Sequence, residues 1–146
     1  MAARVGIVGC GLIGRKRAAA LDGDELVGCF DVDPDASRAL AAEHRSRACG
    51  SLRALLDLRP DVVIVAVTHD RLSEVSVAAL GHGAHVLVEK PAGLSVAQVD
   101  AIAAAAAAAD RRVKVGFNHR FHPAIHRAVT EARSGSHGAI LHMRAH

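Results

Sequence analysis

The chain has 146 residues, which allows one domain with a substantial hydrophobic core and is too few for two ordinary domains. Hydrophobic residues make up 51% of it, but charges interrupt every apolar stretch before it could cross a membrane, so we expect no membrane segment. The net charge is +3, and no aromatic platform or reader motif accompanies the basic residues, which argues against nucleic-acid binding.

A glycine-rich turn follows the first predicted strand. Residues 4–8 are rich in β-branched side chains, and Gly9, Gly11 and Gly14 come next, before an alanine-rich helical segment. In a dinucleotide-binding turn the first glycine permits the tight bend, the second lets a pyrophosphate approach the backbone, and the third lets the helix pack on the strand. The pyrophosphate would then accept hydrogen bonds from free backbone N–H groups at the start of the helix.

An acidic residue closes the second predicted strand, over residues 26–31. Asp31 lies near the offset, roughly 20 residues after the glycines, at which such domains carry the carboxylate that binds ribose hydroxyls. The strand, glycine turn, helix and second strand with its acidic end together predict a dinucleotide-binding βαβ unit.

The following residues continue to alternate strands with helices. We predict further strands over residues 48–49, 62–67, 85–88 and 113–117, and helices over residues 34–43, 52–58, 70–80 and 95–109. Asp33 and Pro34 are typical of a helix start, and Ser51 is a candidate helix cap. The unbroken apolar run at residues 62–67 indicates a central parallel strand buried on both faces. This alternation with short loops predicts a doubly wound α/β fold with a parallel sheet.

The pattern changes after residue 117. A turn at residues 118–122 and a helix over residues 123–133 precede an alternating segment at residues 139–146, which predicts a strand of another sheet. We therefore expect a nucleotide-binding domain over residues 1–118 and the beginning of a second, α+β domain over residues 119–146. A strand without a later partner should seek another edge, so we expect self-association.

Three motifs in order resemble those of the Gfo/Idh/MocA family, which includes glucose–fructose oxidoreductase and inositol dehydrogenase. They are the glycine turn at residues 9–14, the Glu89-Lys90-Pro91 triplet and the segment at residues 116–123. The resemblance implies an N-terminal Rossmann domain and a C-terminal α+β domain that binds substrate and mediates oligomerisation, in chains more than twice this length. It also implies oxidation or reduction of a hydroxyl or carbonyl on a sugar, an inositol or a nucleotide-linked sugar with NAD or NADP.

The resemblance also implies the site residues. The residues that would bind the cofactor are Gly9, Gly11, Leu12, Ile13, Gly14, Asp31, Thr68, His69, Glu89, Pro91, Asn118 and Arg120. Lys90 would be the catalytic residue, because an ammonium beside the reacting hydroxyl or carbonyl stabilises alkoxide character during hydride transfer. In the family the Lys–Pro bond is often cis. The Asp and His that the second domain of the family usually supplies match nothing in this chain.

A carboxylate at Asp31 favours NAD over NADP, because it would repel a 2′-phosphate. Arg38 and the cluster Arg15-Lys16-Arg17 keep NADP open as the alternative, although solvation on helix surfaces also explains them. The net charge of residues 111–146 is +6, whereas that of residues 1–110 is −3. The basic C-terminal segment could face an anionic cofactor or a nucleotide-sugar, or it could simply be solvated.

Metal binding and secretion are not expected. His119, His122 and His126 are close in sequence, but Pro123 interrupts their helical register and no carboxylate or cysteine completes a ligand set. No basic and apolar leader precedes the first strand.

The cysteines agree with a cytoplasmic protein. Cys10, Cys29 and Cys49 lack CxxC spacing, so we expect buried, reduced thiols.

The leading hypothesis is therefore the cofactor-binding part of an NAD-dependent, sugar-type oxidoreductase. A stand-alone nucleotide-binding module that acts as a redox sensor or regulatory subunit is the alternative, and the sequence beyond codon 146 would distinguish the two.

Overall fold

The computed structural model describes residues 2–142 and 144. The chain divides into two compact units, Met1–Gly116 and Phe117–His146. No helix formed by these described residues is both long and apolar enough to span a membrane.

The first unit is a parallel sheet with helices between its strands, as the alternating sequence pattern predicted. In order across the sheet, the described strands are β3 (Arg47–Ala48), β2 (Glu25–Phe30), β1 (Arg4–Val8), β4 (Val62–Val65), β5 (His85–Val88) and β6 (Val113–Val115). The helices between them are α1 (Leu12–Ala18), α2 (Pro34–Glu43), α3 (Leu52–Leu56), α4 (Leu72–Gly81) and α5 (Val96–Ala109). The strand order reverses between β1 and β4, and open sheets of this type bind ligands at the carboxyl edge beside that point. The predicted doubly wound α/β fold is confirmed.

Two hydrophobic clusters lie on opposite faces of the sheet. Along β4, Val63 and Val65 belong to the larger cluster and Ile64 to the smaller one, because successive strand residues point to opposite faces. The larger cluster includes buried residues of α3, α4 and α5, and the smaller one includes Leu40 and Ala41 of α2. Burial on both faces explains why the sequence of β4 is an unbroken apolar run.

Polar side chains cap the starts of three helices of the first unit. The Asp33 carboxylate accepts a hydrogen bond from the Asp35 N–H at 2.9 Å, and Pro34 occupies the first helical position of α2. The Ser51 hydroxyl accepts from the Ala54 N–H at 3.1 Å, as predicted, and the Ser95 hydroxyl accepts from the Gln98 N–H at 3.3 Å.

The cysteines are buried free thiols. A hydrogen bond to Cys29 together with burial raises the pKa of the Cys10 thiol above its ordinary value. Burial also raises the pKa of the Cys49 thiol. Both effects disfavour the thiolate, which is the reactive form of cysteine.

The described residues of the second unit form a 3₁₀ turn, one helix and a short turn in which the Gly138 N–H donates to the Gly135 carbonyl at 3.0 Å. A 3₁₀ turn at Asn118–Phe121 leads into α6 (Pro123–Ser134), which ends at Gly135 with a φ of +70°. The predicted strand at residues 139–146 is not formed at residues 139–142 or 144, where no partner strand supplies the ladder of hydrogen bonds that a strand needs. Residues 143, 145 and 146 lie outside the described part of the chain.

Candidate dinucleotide site

The glycine turn between β1 and α1 is determined by close backbone packing. Gly9 has a φ of +93°, and a Cβ on it would lie 2.3 Å from the Ala66 carbonyl oxygen. A Cβ on Gly14 would lie 1.9 Å from the Gly9 carbonyl oxygen. The fold itself therefore requires glycine at these two positions, and the bend is locked further by the Gly9 N–H, which donates to the Phe30 carbonyl at 2.9 Å.

Gly11 differs from the other two glycines of the turn. A Cβ built on it would meet no atom within 4 Å, and its φ of −72° suits any L-residue. The fold of the first unit therefore does not need glycine there. The open space over its backbone is what a ligand that approaches the main chain closely would occupy.

Asp31 lies beside this turn at the end of β2. One of its carboxylate oxygens accepts from the Cys10 N–H at 2.6 Å, and the other accepts from the Asp33 N–H at 2.9 Å. The carboxylate is thus held at the glycine turn by two backbone donors.

Two cavities meet at the glycine turn. The first, of about 530 Å³, is lined by Gly9, Gly11, Asp31 and Thr68 and by apolar side chains that include Val32, Leu52, Val67 and Val75. The second, of about 420 Å³, is lined by Gly11, Leu12, Ile13, Ala66, Val67, Thr68 and His69. Because Gly11 and Thr68 border both, the two cavities form one groove along the carboxyl ends of β1 and β4.

The apolar wall of the first cavity is the part of the site that sequence reasoning missed. Val32 directly follows Asp31 and is 93% exposed, which is unusual for a valine next to a buried strand. The sequence signal was an apolar residue directly after the predicted ribose-binding carboxylate, and its exposure is visible only in the fold. Leu52 and Val75 come from distant helices, so no local pattern indicated them.

A larger groove of about 850 Å³ lies at the opposite edge of the sheet, near the start of β4 and β5. Several of its charged residues have structural partners: Arg53 pairs with Asp57, and Arg111 donates to the Gly83 carbonyl at 2.6 Å. It lies away from the glycine turn and contains none of the predicted site residues.

Thr68 and His69 follow β4 and line the groove. The Thr68 carbonyl accepts from the Arg71 N–H at 3.0 Å, which forms the turn before α4. A hydrogen bond from the Thr68 hydroxyl, more than any other contact, holds the pKa of the exposed Asp70 carboxyl below its ordinary value.

Glu89, Lys90 and Pro91 directly follow β5. Lys90 is exposed, and its peptide bond to Pro91 is cis. Because β4 separates β1 from β5, the segment lies two strand spacings from the glycine turn along the same edge, roughly 10 Å.

The Glu89 side chain makes a contact that its predicted role did not include. Its Oε1 accepts from the Arg17 Nε at 2.6 Å, and both side chains are more than three-quarters buried, at 13% and 23% exposure. The carboxylate therefore points to helix α1.

Three of the four basic residues that could have favoured NADP, namely Arg15, Arg17 and Arg38, have acidic partners. Arg38 pairs with Asp35 within α2, and Arg15 pairs with Glu43 at 3.1 Å. Their positions are explained by these ion pairs on helix surfaces.

Asn118 and Arg120 lie in the 3₁₀ turn of the second unit. The Arg120 guanidinium carbon is 5.4 Å from the centroid of the Phe121 ring, within the range of a cation–π contact. The other predicted site residues belong to the first unit, where they follow the carboxyl ends of β1, β2, β4 and β5.

Comparison with known proteins identifies the family of the chain. Residues 3–117 match the profile of the Gfo/Idh/MocA oxidoreductase family, described as an NAD-binding Rossmann fold. The UDP-N-acetylglucosamine 3-dehydrogenase of Acidithiobacillus ferrooxidans is 37% identical over 84% of this chain and 39% of its own length. The inositol 2-dehydrogenase of Acidothermus cellulolyticus is 33% identical over 94% of this chain and 42% of its own length.

Solved structures agree as well. GenD2 from gentamicin A biosynthesis, in complex with NAD, superposes with a TM-score of 0.87 at 27% identity, covering 92% of this chain and 40% of that one. The chain thus spans about 40% of the relatives that it matches. It belongs to the Gfo/Idh/MocA oxidoreductase family and represents the NAD-binding Rossmann domain of that family.

Proposed function

We propose that this chain is the cofactor-binding part of an NAD-dependent dehydrogenase that acts on a sugar, an inositol or a nucleotide-sugar. The observation that carries the proposal is the open backbone at Gly11, between two cavities. A dinucleotide matches this arrangement, because its pyrophosphate joins two nucleosides, one for each cavity. The pyrophosphate would lie over Gly11, with adenosine in the cavity beside Asp31 and nicotinamide toward Thr68 and His69.

The apolar cavity suits the adenine ring, and Asp31 suits its ribose. Val32, Leu52 and Val75 offer apolar surface for the flat base. The Asp31 carboxylate would accept hydrogen bonds from the ribose hydroxyls and would repel a 2′-phosphate. Together with the ion pairs that occupy Arg15 and Arg38, this supports NAD over NADP.

Lys90 is the proposed catalytic residue. A bound NAD supplies the hydride acceptor for oxidation of a substrate hydroxyl. That oxidation would break the carbon–hydrogen bond of the substrate with transfer of hydride to the cofactor, and the hydroxyl proton would pass to a base. The Lys90 ammonium would stabilise the negative charge that develops on the substrate oxygen. Pro91, Asn118 and Arg120 are proposed to border the nicotinamide or the substrate, as the family resemblance implies.

The substrate class follows from the relatives. Their names include a UDP-N-acetylglucosamine, an inositol and a glucose-6-phosphate dehydrogenase, which supports a polyhydroxylated substrate. The +6 charge of residues 111–146 supports an anionic one, such as a nucleotide-sugar. We also propose that the protein forms a homo-oligomer. Its buried free thiols support a location in the cytoplasm, where cysteines stay reduced.

The decisive experiment compares two glycines that stand in open space. Gly11→Ala and Gly50→Ala each add a methyl group that meets no atom within 4 Å. Both variants should keep the unfolding free energy of the wild type. In a fluorescence titration the wild type and Gly50→Ala should bind NADH with a Kd between about 1 µM and 1 mM, whereas Gly11→Ala should bind at least about tenfold more weakly.

Gly14→Ala serves as the structural comparison, because its methyl group would collide with the Gly9 carbonyl. It should lower the unfolding free energy by about 1–3 kcal/mol. Equal NADH affinity in the wild type and Gly11→Ala would contradict the proposed position of the pyrophosphate. Absence of NADH binding by the wild type at millimolar concentration would contradict the function.

A further inference from the structure

The ion pair between Arg17 and Glu89 joins the two parts of the proposed site. Arg17 belongs to helix α1, which begins at Leu12 within the glycine turn, and Glu89 immediately precedes Lys90. Both the Nε and the Nη2 of Arg17 face the same carboxylate oxygen, Glu89 Oε1. A charged hydrogen bond between side chains this buried is stronger than a surface ion pair, because water screens it less.

The absence of a side chain at residue 116 makes room for this pair. A Cβ on Gly116 would lie 2.8 Å from the Glu89 Oε2 and 3.0 Å from the Arg17 Nη2. Gly116 follows β6, and its N–H donates to the Val88 carbonyl at 2.8 Å, so it is fixed beside the end of β5. The pair is thus enclosed by α1 and by the ends of β5 and β6.

The glycine turn has its own anchors, which do not involve Arg17. The Gly9 N–H is bound to Phe30, the Cys10 N–H is bound to Asp31, and Gly14 packs against the Gly9 carbonyl. The loss of Arg17 should therefore leave the pyrophosphate position intact. It should instead release the segment that carries Lys90.

We propose that Arg17 is a positioning residue that acts through Glu89 to hold Lys90 at the nicotinamide end of the groove. This inference rests on the proposed function and assigns a role to a residue outside the predicted site. It also gives Glu89 a role different from direct cofactor contact. Its carboxylate would orient the lysine segment by holding helix α1.

The same helix provides a matched control. Arg15 lies two residues before Arg17 and pairs with Glu43 at 3.1 Å, but the two side chains are 44% and 50% exposed. Arg15→Met removes one arginine of α1 and the ion pair with Glu43, without touching the end of β5.

The test separates the two halves of the cofactor by using NADH and ADP-ribose as ligands of this chain. Arg17→Met should weaken NADH binding about tenfold, because the lysine segment would have to become ordered on binding, and leave ADP-ribose binding unchanged. Glu89→Gln should do the same, and the double variant should bind NADH no more weakly than Arg17→Met because the two residues act as a unit. Arg15→Met should bind both ligands like the wild type.

Two outcomes of this titration would overturn the inference. Unchanged NADH affinity in Arg17→Met would show that the pair does not affect the nicotinamide end. An equal loss of affinity for NADH and ADP-ribose would show that the pair supports only the fold.

A second measurement needs no cofactor. The lysines of the chain are Lys16, Lys90 and Lys114, so reductive methylation with ¹³C gives a readily assigned NMR spectrum. The Lys90 signal should shift in Arg17→Met and stay in place in Arg15→Met, while Lys114 stays in place in both. A stationary Lys90 signal in Arg17→Met overturns the inference. A wild type that binds neither ligand overturns the proposed function instead, and the Lys90 signal still decides whether Arg17 positions the lysine.

Discussion

At the scale of single residues, the glycine turn combines two positions where the fold requires glycine with one where it does not. Gly9 and Gly14 lie against backbone atoms, whereas Gly11 faces free space. Local sequence patterns predicted these residues because the glycine spacing and Asp31 belong to one continuous βαβ unit. The pairing of Arg17 with Glu89 could not be predicted in this way, since the two residues are 72 positions apart and only the folded sheet brings them together.

Thr68 should control the ionisation of a neighbouring carboxyl. Its hydroxyl stabilises the charged form of Asp70, so Thr68→Ala should raise the Asp70 pKa toward its ordinary value of 3.8. An NMR pH titration of the Asp70 side chain measures this shift, and Thr68→Ser, which keeps the hydroxyl, should retain the lowered pKa. The stabilisation is present above the ordinary pKa and lost as the pH falls through the lowered one. An unchanged pKa in Thr68→Ala would contradict the hydrogen bond.

At the scale of helices and strands, the sequence predicted the helix caps, but it did not predict some of the residues at which elements begin or end. Ser51 caps α3 and Asp33 caps α2, as the sequence indicated. The predicted strand at residues 62–67 ends at Val65, because ladder pairing with β1 and β5 stops there although the apolar run continues. Helix α4 starts at Leu72 instead of residue 70, because the Thr68 carbonyl and the Arg71 N–H close a turn first.

Removal of a cap should show how much helix α5 depends on it. Ser95 accepts from the Gln98 N–H, and the Gln98 side chain accepts in return from the Leu94 N–H at 2.7 Å. Ser95→Ala should therefore lower the unfolding free energy by about 0.5–2 kcal/mol in urea denaturation. Ser95→Thr keeps the acceptor oxygen and should therefore lower the unfolding free energy by less. Equal losses in the two variants would indicate that the hydroxyl does not cap the helix.

At the scale of the whole molecule, the sheet and both hydrophobic clusters lie within the first unit. The strand pairings extend from β3 to β6, and all members of the two clusters precede residue 116. The strict alternation of strands and helices made this architecture predictable. The predicted strand at the C-terminus was not formed in its described part, because side-chain alternation does not supply a pairing partner.

A shortened chain should consequently retain the properties of the first unit. A chain of residues 1–118, the predicted nucleotide-binding domain, should unfold cooperatively with a free energy within about 0.5 kcal/mol of that of the full chain. It should also bind ADP-ribose with the same affinity, measured by calorimetry. A large loss of stability would show that residues 119–146 contribute to the core, contrary to the predicted domain boundary.

The absence of a side chain at Gly116 also constrains which residues can occupy positions 17 and 89. Because a larger residue there would displace Glu89 and Arg17 together, substitutions at positions 17, 89 and 116 are not independent. A homologue with alanine at position 116 should carry a shorter side chain at one of the other two. Covariation of these three positions in an alignment would indicate that the lysine segment and helix α1 are constrained together.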